Sequence, residues 1–286
     1  MNSACVPLAE PCDPAHLEAL AQLLRGRRFA VLTGAGCSTE SGIPDYRGPA
    51  SRGRVRSPIQ DRDFLRRPEV RQRYWARSVL GWPRFCAARP NAAHAALAQL
   101  EARGQVEGVI TQNVDRLHHA AGSRQVIELH GALAEVVCLA CGVRERRERL
   151  QQRLEALNPG FAPTVMELRP DGDAELPESA VAAFEVPACE ACGDGVLKPD
   201  VVFFGGFVPA PTVEAAYALV ERSEALLVAG TSLAVYSGLR FVRRAVERGL
   251  TVAVLNVGET RADELAHLRV QARIGEALPW LARALE

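Results

Sequence analysis

Phe29-Ala30-Val31-Leu32-Thr33-Gly34-Ala35-Gly36 is an apolar run that ends in glycines. A short apolar run without polar alternation fits a strand buried on both faces, as in a parallel sheet. Glycines at its carboxyl end let the backbone come close to a ligand, and a following helical turn offers free amides to an anion. The same pattern recurs four times. Val106–Thr111 ends at Gln112-Asn113, 126–129 at His130-Gly131, Ala225–Ala229 at Gly230-Thr231-Ser232, and Thr251–Leu255 at Asn256-Val257-Gly258. Helical periodicity marks 16–24, 92–102, 211–221 and 239–248. Strands alternating with helices predict an α/β fold, a Rossmann-like doubly wound parallel sheet whose ligands bind at the carboxyl ends of the strands. Each polar or glycine cluster just named sits at such an end.

Two segments break the alternation. Residues 52–89 form an arginine-rich, mostly helical module, and 136–196 carry paired cysteines and a stretch rich in proline, glycine and acids. Both are assigned to a smaller inserted domain. The sheet domain is then discontinuous, over 16–51, 90–135 and 197–286.

Composition narrows the function. The 286 residues are 48% hydrophobic and 24% charged, with zero formal net charge. That balance argues against a broad nucleic-acid surface, which needs a basic excess. No apolar run approaches the roughly 20 residues of a membrane span, and residues 1–14 lack the basic and apolar regions of a secretory signal. A cytoplasmic bacterial protein, monomeric and binding neither membrane nor nucleic acid, is the expectation. Of the basic residues only Lys198 is lysine, in keeping with an Arg-favouring, GC-rich genome. The neutrality is uneven: 52–77 holds nine arginines against three acids, and 167–190 holds seven acids against Arg169.

Cys138-Leu-Ala-Cys141 and Cys189-Glu-Ala-Cys192 present four thiolates to one tetrahedral ion, and Zn²⁺ is the usual occupant. Four sulfur ligands leave no open position, so the expected zinc is structural. The 47 residues between the knuckles exceed a bare ribbon, so 158–187 is read as an insertion, either an ordered lid or a solvated loop. Cys5, Cys12, Cys37 and Cys86 have no such pairing and read as buried or incidental thiols.

Gly34-Ala35-Gly36 is half of a dinucleotide fingerprint, but Thr39 stands where the third glycine belongs, which fits an ordinary dehydrogenase poorly. The continuation through Cys37-Ser38-Thr39-Glu40-Ser41-Gly42-Ile43-Pro44-Asp45-Tyr46-Arg47-Gly48 resembles the first motif of the sirtuin family. Gln112-Asn113-Val114-Asp115, Leu129-His130-Gly131, both cysteine knuckles, Lys198 to Gly205, Gly230 to Leu233 and Leu255 to Gly258 are similar to the rest, in order. Residues 71–77 and 121–124 further resemble class II sirtuins, the group of mitochondrial sirtuin four.

The resemblance implies an NAD-dependent protein-lysine deacylase. It joins NAD to an acylated lysine of a protein or peptide and yields nicotinamide and O-acyl-ADP-ribose. His130 is then the base that takes a proton from a ribose hydroxyl, as an imidazole can near neutral pH. Asp115 holds the nicotinamide carboxamide, and Asn113 orders the ribose and nearby water. Implied cofactor contacts also include Gly34, Ala35, Gly36, Ser38, Thr39, Asp45, Gln112, Gly230, Thr231, Ser232, Asn256, Val257, Gly258 and Ile274, with Tyr46 and Arg47 on a mobile loop. Val201, Phe203, Gly205 and Val235 belong to two edges that clasp the substrate peptide as a third strand. Gly206 replaces a frequent Glu and Ser237 a frequent Pro, so peptide preference is open.

Tyr74 and Arg77 have the Tyr-x-x-Arg spacing that desuccinylating sirtuins use for an acidic acyl tail, and a guanidinium can grip a carboxylate bidentately. Longer, branched or acidic acyl groups are therefore weighed against acetyl, and Arg77 against one more solvated arginine. A protein ADP-ribosyltransferase on the same site, and a non-catalytic NAD or ADP-ribose sensor, are the alternatives.

Overall fold

The computed structural model describes residues 13–45, 58–162, 176 and 181–286. The chain opens with α1 (Pro14–Leu24), β1 (Phe29–Thr33), α2 (Asp61–Arg66), α3 (Pro68–Cys86) and α4 (Ala92–Ala102). It continues through β2 (Val106–Thr111), α5 (Leu117–Ala120), β3 (Val126–Glu128), β4 (Gly131–Cys138), β5 (Arg144–Arg146) and α6 (Arg147–Leu157). It closes with β6 (Leu197–Val201), α7 (Ala210–Glu221), β7 (Ala225–Ala229), α8 (Tyr236–Glu247), β8 (Thr251–Leu255), β9 (Leu268–Val270) and α9 (Ile274–Ala284).

Six parallel strands form the main sheet in the order β3-β2-β1-β7-β8-β9. β1 is buried at all five positions, which its unbroken apolar run requires. Its side chains alternate between faces. Phe29 and Val31 pack with Leu20, Leu97 and Leu281 from α1, α4 and α9, while Ala30 and Leu32 pack with Leu219 and Phe241 from α7 and α8. The sheet is therefore doubly wound, as expected. Its order reverses between β1 and β7, and there a crevice opens at the strand ends.

Local chemistry accounts for the element boundaries. α1 starts at Pro14 because Asp13 Oδ1 accepts the Ala15 amide at 2.9 Å and proline is preset for the first helical position. Ser237 and Gly238 are weak helix formers and hide the first turn of α8 from a periodicity reading. β9 has only three residues, and Pro279 inside α9 reads as a breaker, so sequence reasoning misses both. α9 is nevertheless tied down: Arg103 Nη1 donates to Ala282 O at 2.7 Å and Arg25 Nη2 to Ala284 O at 3.1 Å.

The smaller unit is an antiparallel sheet, β5-β4-β6, with α2, α3 and α6. Its sheet takes in 131–138 and 197–201, residues that the sequence boundaries divide between the two units. Its core centres on Phe64, Trp75, Leu150 and Leu154. Arg147 is buried among these, its guanidinium carbon 5.3 and 5.2 Å from the Trp75 and Trp82 ring centres, with Nη2 donating to Ser78 Oγ at 3.1 Å. From the 158–187 insertion, residues 163–175 and 177–180 lie outside the described residues. Leu176, Val181 and Phe184 join this core, and Gln72 Nε2 donates to Phe184 O at 2.8 Å. Among the described residues no helix is long and apolar enough to cross a membrane.

Candidate active site

A cavity of about 1140 Å³ occupies the crevice between the two units. It exceeds the roughly 300–1,000 Å³ of a site for one drug-sized ligand, leaving room for a dinucleotide and an acyl-lysine together. Gly34, Ala35 and Gly36 after β1 and Gly230, Thr231 and Ser232 after β7 line it. The two loops interlock. Gly36 N donates to Gly230 O at 2.9 Å, and a Cβ on Gly36 would lie 2.8 Å from that same oxygen. Gly230 has φ +66° and faces the Cys37 amide, so a side chain there would be strained and would clash.

The polar wall is a network of amides and hydroxyls. Asn113 Nδ2 donates to Gly34 O and Ser38 Oγ, both at 3.0 Å. Ser38 Oγ donates to Asp115 Oδ2 at 2.6 Å, and Asp115 Oδ1 accepts the Leu117 amide at 2.9 Å. Gln112 Nε2 bridges to Thr231 Oγ1 at 2.9 Å. Asn256 after β8 reaches Val257 O at 3.0 Å and Gly258 O at 3.2 Å. This donor set and the glycine cradle fit a dinucleotide.

His130 closes the network on the side of the smaller unit. Its Nδ1 lies 2.9 Å from Gln112 O, which can only accept, so Nδ1 carries the proton and Nε2 the lone pair. Nε2 lies 2.9 Å from Ser237 Oγ at the start of α8. Burial pushes the His130 pKa below the ordinary imidazole value, and the Gln112 bond works against that. The next residue turns the chain. Gly131 has φ +75°, and a Cβ there would fall 2.0 Å from Asp200 O. His130 O accepts the Val202 amide at 2.9 Å, which fixes this histidine to the strand edge that continues β6.

That edge, with Val201, Phe203 and Gly205, and the facing segment with Val235 both line the cavity. Tyr74, Phe85, Val114 and Leu133, packed in or against the core of the smaller unit, line the same cavity as an apolar wall. Tyr74 stacks edge-on against Phe64 and Phe203, with centres 5.6 and 5.4 Å apart. Lys198 on β6 lies behind, 3.9 Å from Asp61 and 4.5 Å from the Phe203 ring centre. Asp45 lines the cavity as well. Thr39, Arg77 and Ile274 are not among its lining residues. Thr39 Oγ1 turns back to Gly36 O, Arg77 is half-buried on α3, and Ile274 is buried in the main core. Tyr46 and Arg47 lie outside the described residues.

The Sir2 family model matches residues 34–237. The chain belongs to the Sir2 family. Among its relatives, an NAD-dependent protein deacetylase of Xanthomonas campestris is 54% identical over 90% of this chain and 87% of its own length. The human mitochondrial NAD-dependent protein lipoamidase sirtuin-4 is 48% identical over 96% of this chain and 88% of its own. Among solved structures, a Sir2 protein with a p53 peptide and NAD⁺ has a TM-score of 0.74 at 32% identity, covering 93% of this chain and 97% of that one.

In this Sir2 chain the four knuckle cysteines converge as their spacing predicts. One sulfur from each lies within 4.8 Å of the others, with Cys138 Sγ 3.7 Å from Cys192 Sγ and Cys141 Sγ 3.8 Å from Cys189 Sγ. The Cys141 amide donates to Cys138 Sγ at 3.5 Å and lowers the pKa of that thiol, while the neighbouring thiols and burial push Cys141 and Cys192 up. The four could hold one structural Zn²⁺. Sequence reasoning on the Sir2 motifs missed Phe85, Leu133 and Arg240, which come from α3, β4 and α8 and reach the cavity only through tertiary packing. Ser237 carries a signal in the sequence, as the residue replacing a frequent proline, but its contact with His130 has none.

Proposed function

We propose that the chain removes acyl groups from protein lysines at the expense of NAD, with His130 as the base. The observation that carries this reading is the position of His130 Nε2. It lies in one cavity with the glycine loops of β1 and β7 and with the two strand edges. NAD, when bound, supplies the electrophilic ribose carbon and nicotinamide as the leaving group. Asp115, Asn113 and Ser38 would hold its nicotinamide and ribose end. Thr231, Ser232 and Asn256 would hold the phosphates and far ribose. Val201 to Gly205 and the segment at Val235 would pair with the peptide backbone, so main-chain bonds give affinity with little demand on sequence. His130 Nε2 accepts a ribose hydroxyl proton, and Gln112 O stabilises the imidazolium that results.

The apolar wall of Tyr74, Phe85 and Leu133 supports acyl groups longer than acetyl, since each buried methylene contributes about 0.8 kcal/mol. An acidic tail would rest on Tyr74, and Arg77, which does not line the cavity, would have to turn inward from α3 to meet it. The experiment incubates NAD with acetyl, lipoyl, glutaryl and methylglutaryl peptides and identifies the products by mass. Acyl-ADP-ribose with nicotinamide is expected, and rates should rise with acyl length. A heavier peptide would mean ADP-ribosyl transfer, and no turnover would mean a sensor. In Arg77→Met the glutaryl rate should fall relative to acetyl, and an unchanged ranking removes Arg77 from acyl recognition.

A further inference from the structure

We propose that Cys37, His94 and His118 form a second metal site, for a soft divalent cation of the zinc class, in the wall behind the nucleotide loop. Cys37 ends the turn that follows β1, His94 lies in the first turn of α4, and His118 is on α5. One ligand atom from each lies within 4.8 Å of the other two. Their exposures are 1%, 0% and 1%.

Hydrogen bonds already orient both rings. His94 Nδ1 lies 3.0 Å from Asn91 Oδ1 and 3.3 Å from the Asn91 amide nitrogen, which leaves Nε2 facing Cys37 Sγ at 4.0 Å. His118 Nε2 lies 3.0 Å from Thr33 Oγ1, and its Nδ1 is buried without a partner among the described residues. Metal-binding imidazoles are held in this way, by an oxygen on the outer nitrogen. The two ring centres are 4.7 Å apart, so two desolvated imidazoles and a single thiol share one space. An S–H donor can satisfy at most one of the two nitrogens, whereas a cation satisfies both.

The electrostatics agree. Burial keeps both imidazoles neutral, with His118 pushed down to about 3. Burial first, then the charges of Asp115 and Glu40, push the Cys37 thiol up. The field that opposes a bare thiolate favours a cation beside it. On binding, the thiol proton leaves to solvent and a sulfur–metal bond forms. One sulfur and two imidazoles match zinc, cobalt and copper ions better than magnesium or calcium. Tetrahedral zinc places such ligands about 3.3–3.6 Å apart, so the three atoms need close by no more than about 1.5 Å.

The test equilibrates the full chain, its four-cysteine site loaded, against buffered free Zn²⁺ and counts ions per chain. Cys37→Ala removes the sulfur. Cys37→Val removes it and refills the space, should the alanine variant fail to fold. Wild type should hold one ion more than either variant. With Co²⁺, wild type should show thiolate-to-cobalt absorption that both variants lack, beyond that of the four-cysteine site. Equal metal content and equal cobalt spectra, in proteins that melt cooperatively, would overturn the site and leave Cys37 as a core thiol bonded to His94.

Discussion

His130 is held at both ring nitrogens, and each contact has a kinetic consequence. Burial places its pKa below 6.5, so the base form survives into more acidic solution than for a free imidazole. The acid limb of kcat/KM should therefore have its midpoint below pH 6.5, and a midpoint above that value would point to a different base. His130→Ala should lose about 10²–10⁴ in rate, the usual worth of a general base. Ser237 Oγ, 2.9 Å from Nε2, occupies the lone pair that the proposed base would use, and a ribose hydroxyl would have to displace it. A neutral hydrogen bond nets about 1 kcal/mol, so Ser237→Ala should alter the rate by about fivefold or less. A loss as large as that of His130→Ala would put Ser237 on the proton path.

β4 and β6 join the chemistry to the cysteine centre. Their register runs from Cys138 opposite Leu197 to Gly131 opposite Val201, with the cysteines at one end and His130 just beyond the other. The four steps of β6 between these pairs span about 13 Å, with a register shift taking up the extra residues of β4, so a cation at the cysteines acts through the strands and not on the substrate. Removing zinc by chelation, or with Cys189→Ser, should free the ends of both strands, lower the melting temperature and abolish peptide turnover. The main sheet has its own core and should keep its far-ultraviolet signal. Full turnover by a zinc-free chain would contradict this coupling. The elements also show what the sequence could reveal. β1, β7 and β8 were legible because burial on both faces demands unbroken apolar runs. The pairing of β4 with β6 was not, because it joins strands separated by the whole insertion. β9 and α9 were hidden by shortness and by Pro279.

At the scale of the molecule, the site was legible where its residues follow strands, since a doubly wound sheet gathers those ends into one crevice. It was illegible where Phe85, Leu133 and Arg240 enter from elements that only tertiary packing brings near. The same packing sets the acid stability of the chain. His118 is buried between β1 and α4, and its pKa falls from 6.5 to about 3, mainly from desolvation and next from His94 and His119. The unfolded chain takes up a proton near pH 6.5, and the folded chain does so only near 3. Unfolding therefore binds protons throughout that window, and stability falls as the solution is acidified from 6.5 toward 3. At pH 5 the loss from His118 alone is about 2 kcal/mol. His94 and His130, also lowered, act in the same direction. Ordinary carboxylates titrate lower, so with the four knuckle cysteines held by zinc the imidazoles dominate the interval from pH 7 to 5. Urea midpoints measured across it should drop steadily at constant m-value, with net proton uptake on unfolding. A flat midpoint would mean that the unfolded chain gains no imidazole proton in that range, contrary to a His118 buried in its neutral form.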